Sequence, residues 1–297
     1  MKNKILKSTG LTMAICLIGS LYSCNKENED LVITESTSKT KLTSKLSNYE
    51  QVNLSKIGFD LEKTEKKFLG FPDNTSKEYY VYEDISFPVE GLSSLDNLGT
   101  ANPLTESEIA DADAKLFRHP NLAAGNRTYT VAFFDINEEY ARQAIGDMIW
   151  AFNNNLNTTV RLTAVFAASA NFGTTENDIA VFFRQGLGTA LARADFPIDN
   201  LPGRNIRISF QPWAIEEYNT RANFRELMMH EMGHQFGLLH SNAVTVNDGE
   251  EPGQVHIAGT DDSGTSEDSV MVTDVELAGR WYTDQDRTAM RSLYGTR

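Results

Sequence analysis

Residues 230–240 read HEMGHQFGLLH and hold three of the five histidines in a chain of 297 residues. His230 and His234 are four apart, which on a helix stacks two imidazoles on one face. Two such rings can share one ion, and His-Glu-x-x-His on a helix is a zinc pattern for that reason. Glu231 sits between them and can reach a water on the ion without filling a ligand position. Gly237 follows His234 by three residues; a glycine tolerates positive φ and can end a helix by reversing the chain. The reversal would let His240 return as a third ligand and leave a fourth position open, as catalytic zinc sites do. By chance His-Glu-x-x-His arises at roughly one position in 35,000, and the added glycine and histidine make the full pattern about a thousandfold rarer.

These residues need a helix under them and a sheet beside it. "NFRELMM" opens the helix, with Asn223 and Glu226 spaced like a capping box. Upstream, "RTYTVAFFDI", "TVRLTAVFAAS", "NDIAVFFR", "TALARADF" and "NIRISF" are rich in β-branched and aromatic residues and predict strands. "NEEYARQAIGDMIWAFNNNL" places Ala141, Ile145, Met148, Ile149 and Phe152 at helical spacing. Strand, helix, then several strands before another helix imply an α+β fold, a mixed sheet backed by helices.

The front of the chain differs. All thirteen lysines lie at or before Lys115 and all fourteen arginines at or after Arg118. "RHPNLAAGNR" then supplies the Pro, Gly and Asn of a boundary. We divide the chain into a signal peptide at 1–23, a polar tether at 24–45, a propeptide-like or accessory segment at 46–126 and a catalytic domain at 127–297. The accessory segment offers "EYYVYEDISF" as one strand and a helix-like run at 106–117. At the start, Lys2, Lys4 and Lys7 precede an apolar run about half the ~20 residues a membrane-spanning helix needs, which reads as a signal-peptide core. The run ends at Leu21-Tyr22-Ser23-Cys24, similar to a bacterial lipobox whose cysteine carries lipid. Cleavage before Cys24 takes the net charge from −14 to −17 and leaves no thiol for a disulfide. An acidic surface repels phosphate backbones, so nucleic acid is not an expected partner.

HEMGHQFGLLH resembles the extended zinc motif of the metzincin metallopeptidases. "DSVM" at 268–271 resembles that family's methionine turn, with Met271 as its methionine. "LARADFP" is similar to the rim strand of the matrixin branch, and "YTDQDRTAMRSLYG" to its final helix. "VHIAGT" and the turn resemble the bacterial dual-action HEIGH metallopeptidases. Together the likeness spans 127–297. It implies a twisted, mixed five-stranded sheet with an active-site helix and a C-terminal Met-turn subdomain. It also implies one catalytic zinc held by His230, His234 and His240, with Glu231 as the general base. A peptide would lie antiparallel on an exposed edge strand carrying Ala190, Leu191 and Ala192. Arg193 stands where matrixins have a structural-zinc histidine, so no second zinc is expected there. Ser241 follows the third histidine, as in matrixins. Thr273 stands where some relatives carry a zinc-reaching tyrosine.

The whole predicts a monomeric, exported, lipid-anchored zinc endopeptidase of a bacterial cell envelope, or a secreted one, acting on protein or peptide. The rival is a non-catalytic zinc-containing surface binding module. Residues 272–282 would wall the pocket for the residue after the cut; Trp281 and Tyr282 could line it but read better as core. Residues 241–279 hold nine acidic residues and no lysine or arginine. Calcium is a candidate second ion there, though solvated loops are the favoured reading. His119 and His256 read as structural. If the front segment inhibits, no cysteine is left to cap the metal, and a carboxylate or histidine must do it.

Overall fold

A computed structural model describes residues 46–96, 98, 116–241, 255–260, 269–272 and 277–297. Cys24, the tether, most of the 106–117 run, the acid-rich loops at 247–253 and 261–268, and Thr273 lie outside the described residues. Thr43–Arg297 forms one compact unit.

The front segment begins with α1 (Asn48–Ser55), capped by a Ser47–Glu50 box. Three antiparallel strands follow: β1 (Glu65–Gly70), β2 (Ser76–Tyr82) and β3 (Ile85–Pro88). "EYYVYEDISF" is therefore not one strand. It folds back at Glu83-Asp84, with Tyr82 opposite Ile85 across a two-residue turn. The short strand β4 (Phe117–Arg118) occupies the end of the stretch expected to be helical. Here Leu239 donates its N–H to the Phe117 carbonyl, and His119 to that of Gly237.

The body starts with β5 (Thr128–Phe134) and α2 (Glu139–Trp150). Ala141, Ala144, Ile145 and Met148 of α2 are buried at i, i+3, i+4 and i+7, the stripe that seats a helix on a sheet. A π-helical turn, Ala151–Asn155, extends it. Then come β6 (Arg161–Ala167), β7 (Ile179–Arg184), β8 (Ala192–Asp195) and β9 (Asn205–Ser209). The short α3 (Pro212–Tyr218) leads into α4 (Arg221–Gln235), which carries the histidine pair. After β10 (Val255–His256), which pairs with β4, the chain ends in α5 (Asp284–Tyr294).

The sheet runs β1-β2-β3-β8-β9-β7-β5-β6. Its last five members are the mixed five-stranded sheet expected of the body: β9, β7, β5 and β6 are parallel and β8 is antiparallel to β9. The other three are the front segment, joined through a parallel contact that pairs Ile85 with Ala194 and Ser86 with Asp195. The edge of β8 expected to be exposed is therefore covered over Ala194 and Asp195. Ala190 and Leu191 precede the strand rather than belonging to it, and only Ala192 lies within it. Helix α4 packs behind this sheet and is buried from Phe224 to Gln235, around its whole circumference. Such a helix belongs to the core rather than to the surface.

At the join sits a buried polar knot. Arg207 of β9 donates to Asp195 at 2.7 Å, and Asp195 also accepts from Ser86 at 2.7 Å and Asn205 at 2.6 Å. The guanidinium lies over the Tyr79 and Phe71 rings of the front segment, 4.5 and 5.4 Å from their centroids. Removing one partner of a buried ion pair leaves the other charge stranded, at a cost of about 3–5 kcal/mol. Asp195→Ala should therefore lower the unfolding free energy by about that much, and Asp195→Ala with Arg207→Met should recover much of the loss. Denaturant titration of both variants tests this; an unchanged midpoint for Asp195→Ala would remove the knot from the account.

Candidate active site

The cap of α4 is Thr220, whose hydroxyl accepts from Asn223 N; the Asn223–Glu226 box does not form. Glu226 is used elsewhere. Its carboxylate accepts from the backbone N–H of Ala278 and Arg280, both at 2.8 Å, and from the Arg280 guanidinium at 2.5 Å. The segment carrying Leu277 and Arg280 is thereby tied to the first turns of the histidine helix.

After Gln235 the helix stops. Gly237 has φ of +90°, and a Cβ there would come within 2.8 Å of Leu122 Cδ2 and 3.1 Å of the Asn121 carbonyl. The turn thus needs glycine for conformation and for space, as its sequence position implies. It sends the chain back so that His240 faces the helix. The three ring centroids are 4.8, 4.8 and 5.2 Å apart. The Nε2 atoms of His230 and His234 are 3.1 Å apart, and those of His234 and His240 are 3.2 Å apart.

These nitrogens do not bond one another. His230 donates from Nδ1 to the Val270 carbonyl at 2.7 Å, and His234 from Nδ1 to the Leu238 carbonyl at 2.8 Å. A neutral imidazole with its proton on Nδ1 presents only a lone pair at Nε2. Neighbouring lone pairs therefore meet in a buried space, which a cation reconciles. Nitrogens bound about 2.0–2.1 Å from a tetrahedral zinc lie about 3.3–3.4 Å from each other, close to the spacing found. The three histidines fit the metal the motif implies.

A fourth group completes the cluster. Asp84, in the β2–β3 turn, places Oδ2 3.1 Å from Nε2 of both His230 and His240. Its Oδ1 is 3.7 Å from His234 Nε2 and is buried without a hydrogen-bond partner. Ligand atoms of Asp84, His230, His234 and His240 all lie within 4.8 Å of one another. Sequence reasoning raised a capping carboxylate from the front segment but did not find which one. The available signal was the acidic pair Glu83-Asp84 interrupting two alternating apolar runs, read instead as one strand.

The cluster is strongly coupled to charge. Burial is the largest influence on His240, yet the Asp84 and Glu83 carboxylates outweigh it and raise the ring to about 10. Burial lowers His234 to about 4 against the opposing pull of Asp84. Glu231 is buried, with Oε2 unpartnered among the described residues. Burial, and then the negative charge of Asp84, push its carboxyl well above the usual range.

Beneath the rings lies the turn with Met271, fully buried. Ser241 donates its N–H to the Met271 carbonyl at 2.9 Å. Asp286 of α5 accepts from Ser269 Oγ at 2.6 Å and from Val270 N at 3.3 Å, so the cap of the last helix also holds this turn. Gly233 lets the turn approach α4, since a Cβ there would meet Met271 Sδ at 2.3 Å.

A cavity of about 280 Å³ opens beside the histidines, bordered by Leu191, Leu227, Glu231, Val272, Leu277 and Arg280. Thr189, Ala190 and Ala192 also line it, so the residues proposed for substrate pairing face the cavity although only one is in the strand. Trp281 and Tyr282 do not line it. Tyr282 is core, and Trp281 packs its ring under Arg225 and against Trp150. His256 lies on β10, its ring against Phe117, outside the cluster. His119 is buried against Phe196, and burial pulls it down to about 3. Arg193 donates to the Glu83 carbonyl, at 3.1 Å from Nε and 2.6 Å from Nη2.

A sequence profile described as dual-action HEIGH metallo-peptidase matches residues 117–294. The chain belongs to that family. It is a zinc metallopeptidase, and the sheet, active-site helix and methionine turn are the α+β architecture its sequence implied. No curated protein matches the chain. Solved structures that are similar include "Structure of myroilysin", 12% identical, covering 61% of this chain and 99% of that one with a TM-score of 0.40. Another is high choriolytic enzyme 1, a hatching enzyme zinc-protease from Oryzias latipes, 12% identical, covering 66% and 100% with a TM-score of 0.38.

If Gly237 is what returns His240 to the cluster, Gly237→Ala should weaken zinc affinity by about tenfold or more without removing His230 or His234. Titration against a competing chelator measures it; an unchanged affinity would mean His240 reaches its place by other means.

Proposed function

We propose that the chain is an exported, lipid-anchored zinc endopeptidase in which His230, His234 and His240 hold the metal and Glu231 is the general base. The observation that carries this reading is a buried, unpartnered glutamate oxygen beside three converging imidazoles. Bound zinc supplies Lewis-acid polarisation of a carbonyl and brings the pKa of water to about 7. The rest falls to the chain's own groups. Val270 and Leu238 carbonyls fix the tautomers of His230 and His234, keeping Nε2 free. Glu231 takes a proton from the attacking water and gives it to the leaving amine, a role its raised basicity suits.

A peptide would run antiparallel along residues 189–192 and place a side chain in the adjacent cavity. Leu191, Leu227, Val272 and Leu277 make that cavity apolar, and Arg280 on its wall is engaged by Glu226. An apolar side chain after the cut suits it. Chelation should abolish hydrolysis of a peptide library and added zinc should restore it. Glu231→Gln should keep zinc while losing at least about a hundredfold in kcat/KM. Both are measured in the parent chain and with Asp84→Ala, since Asp84 stands in the cleft. A zinc-loaded Glu231→Gln as active as its parent would reject the assigned base.

Export and anchoring rest on the lysine-led apolar start and Leu21-Tyr22-Ser23-Cys24. Among the described residues no helix is long and apolar enough to cross a membrane. Cys24→Ser should abolish metabolic labelling of the protein with radiolabelled palmitate; undiminished labelling would exclude Cys24 as the lipid site.

A further inference from the structure

Taking the zinc site proposed above as given, we propose that Asp84 is a fourth ligand to that metal and that the Glu83-Asp84 turn is an internal inhibitor built into the fold. Three hydrogen-bonding arrangements converge on it. The Asp84 carboxylate faces all three imidazoles, and its Oδ1 is buried without a partner, a position costly for a carboxylate unless a cation is beside it. The turn is held from the body side: Arg193 donates twice to the Glu83 carbonyl, and Ala194 donates its N–H to the Asp84 carbonyl at 2.9 Å. Glu83 has φ of +49°, a left-handed conformation that residues with a Cβ seldom adopt. Surroundings that hold a residue there over-determine it, as they do at clamps and switches.

The direction of the chain matters as much as the ligand. Strand β3 runs parallel to β8, pairing through Ile85–Ala194 and Ser86–Asp195. A substrate pairing antiparallel to the same strand runs the other way, so the inserted segment does not present a peptide bond as a substrate would. It nevertheless uses the edge that a substrate would extend along and the coordination position that attacking water would need. Arg193 has a use here that its sequence context did not suggest. It stands where related enzymes hold a second metal, and in this chain it clasps the inhibitory turn.

Attachment at the metal is local. The contact of β3 with β8 spans two residue pairs, whereas β1, β2 and β3 support one another over ten. Withdrawal of the turn would open the site while the front strands keep their own pairing.

The test uses the full chain, loaded with zinc or with cobalt(II), and compares the parent with Asp84→Ala and with the isosteric Asp84→Asn. Acetohydroxamate, a small chelating probe, reports whether a coordination position is open. The expected result is a changed visible cobalt spectrum, acetohydroxamate affinity raised at least tenfold, and peptide hydrolysis raised by a similar factor, with the larger change in Asp84→Ala. Should Asp84→Ala fail to fold, Asp84→Asn carries the comparison, because it keeps the side-chain volume. Either variant folded and metal-loaded, yet with the parent's cobalt spectrum and acetohydroxamate affinity, overturns the assignment of Asp84. Open coordination with no hydrolysis of any peptide supports Asp84 as ligand and overturns the peptidase reading instead. Failure of the parent to bind either metal overturns both.

Discussion

Three lone pairs directed into one buried space are the constraint on which the rest of this molecule is arranged. Imidazoles this close repel unless something positive lies among them, and their outer nitrogens are committed to backbone carbonyls. The surrounding fold works to keep them there. The carbonyl of Val270 belongs to the methionine turn, the carbonyl of Leu238 to the glycine reversal, and both are fixed by other elements in turn. An error of an ångström in either would rotate a ring and spoil the site.

That explains why the supports lie so far along the chain from what they support. Asp286, at the start of the last helix, satisfies its own cap and the turn under the histidines with one carboxylate. Glu226, one turn before His230, binds the segment that borders the cavity. Rigid secondary structure supplies the position and buried carboxylates supply the registration. Gly233 contributes by having no side chain, which allows a methionine sulfur against the helix backbone.

Much of this was legible in the sequence because it is local. Helical spacing in HEMGH, a glycine where the chain must reverse, and β-branched runs in the body strands each express a preference within a few residues. The last helix announced itself in the same way. What escaped was non-local or depended on a single turn. Glu83-Asp84 lies between two apolar stretches of matched alternation, and a tight turn lacking Gly or Asn gives propensity nothing to detect. Once that turn was missed, the cover over β8 was missed with it, since pairing of Ser86 with Asp195 joins positions 109 apart. The capping box at Asn223 failed for a different reason: the helix starts two residues earlier at Thr220, and Glu226 finds better donors in a distant loop.

The knot of Arg207 and Asp195 bears on how the protein comes to be folded at all. Its cation sits on a late body strand, while the aromatic faces and one hydroxyl that surround it come from early in the chain. Neither half can bury its share alone without leaving a charge poorly solvated. Assembly of the sheet must then wait for contacts across much of the polypeptide, which is the slow kind of folding problem. A chain of this design gains from not being separated into its front and body until it has been delivered and has folded.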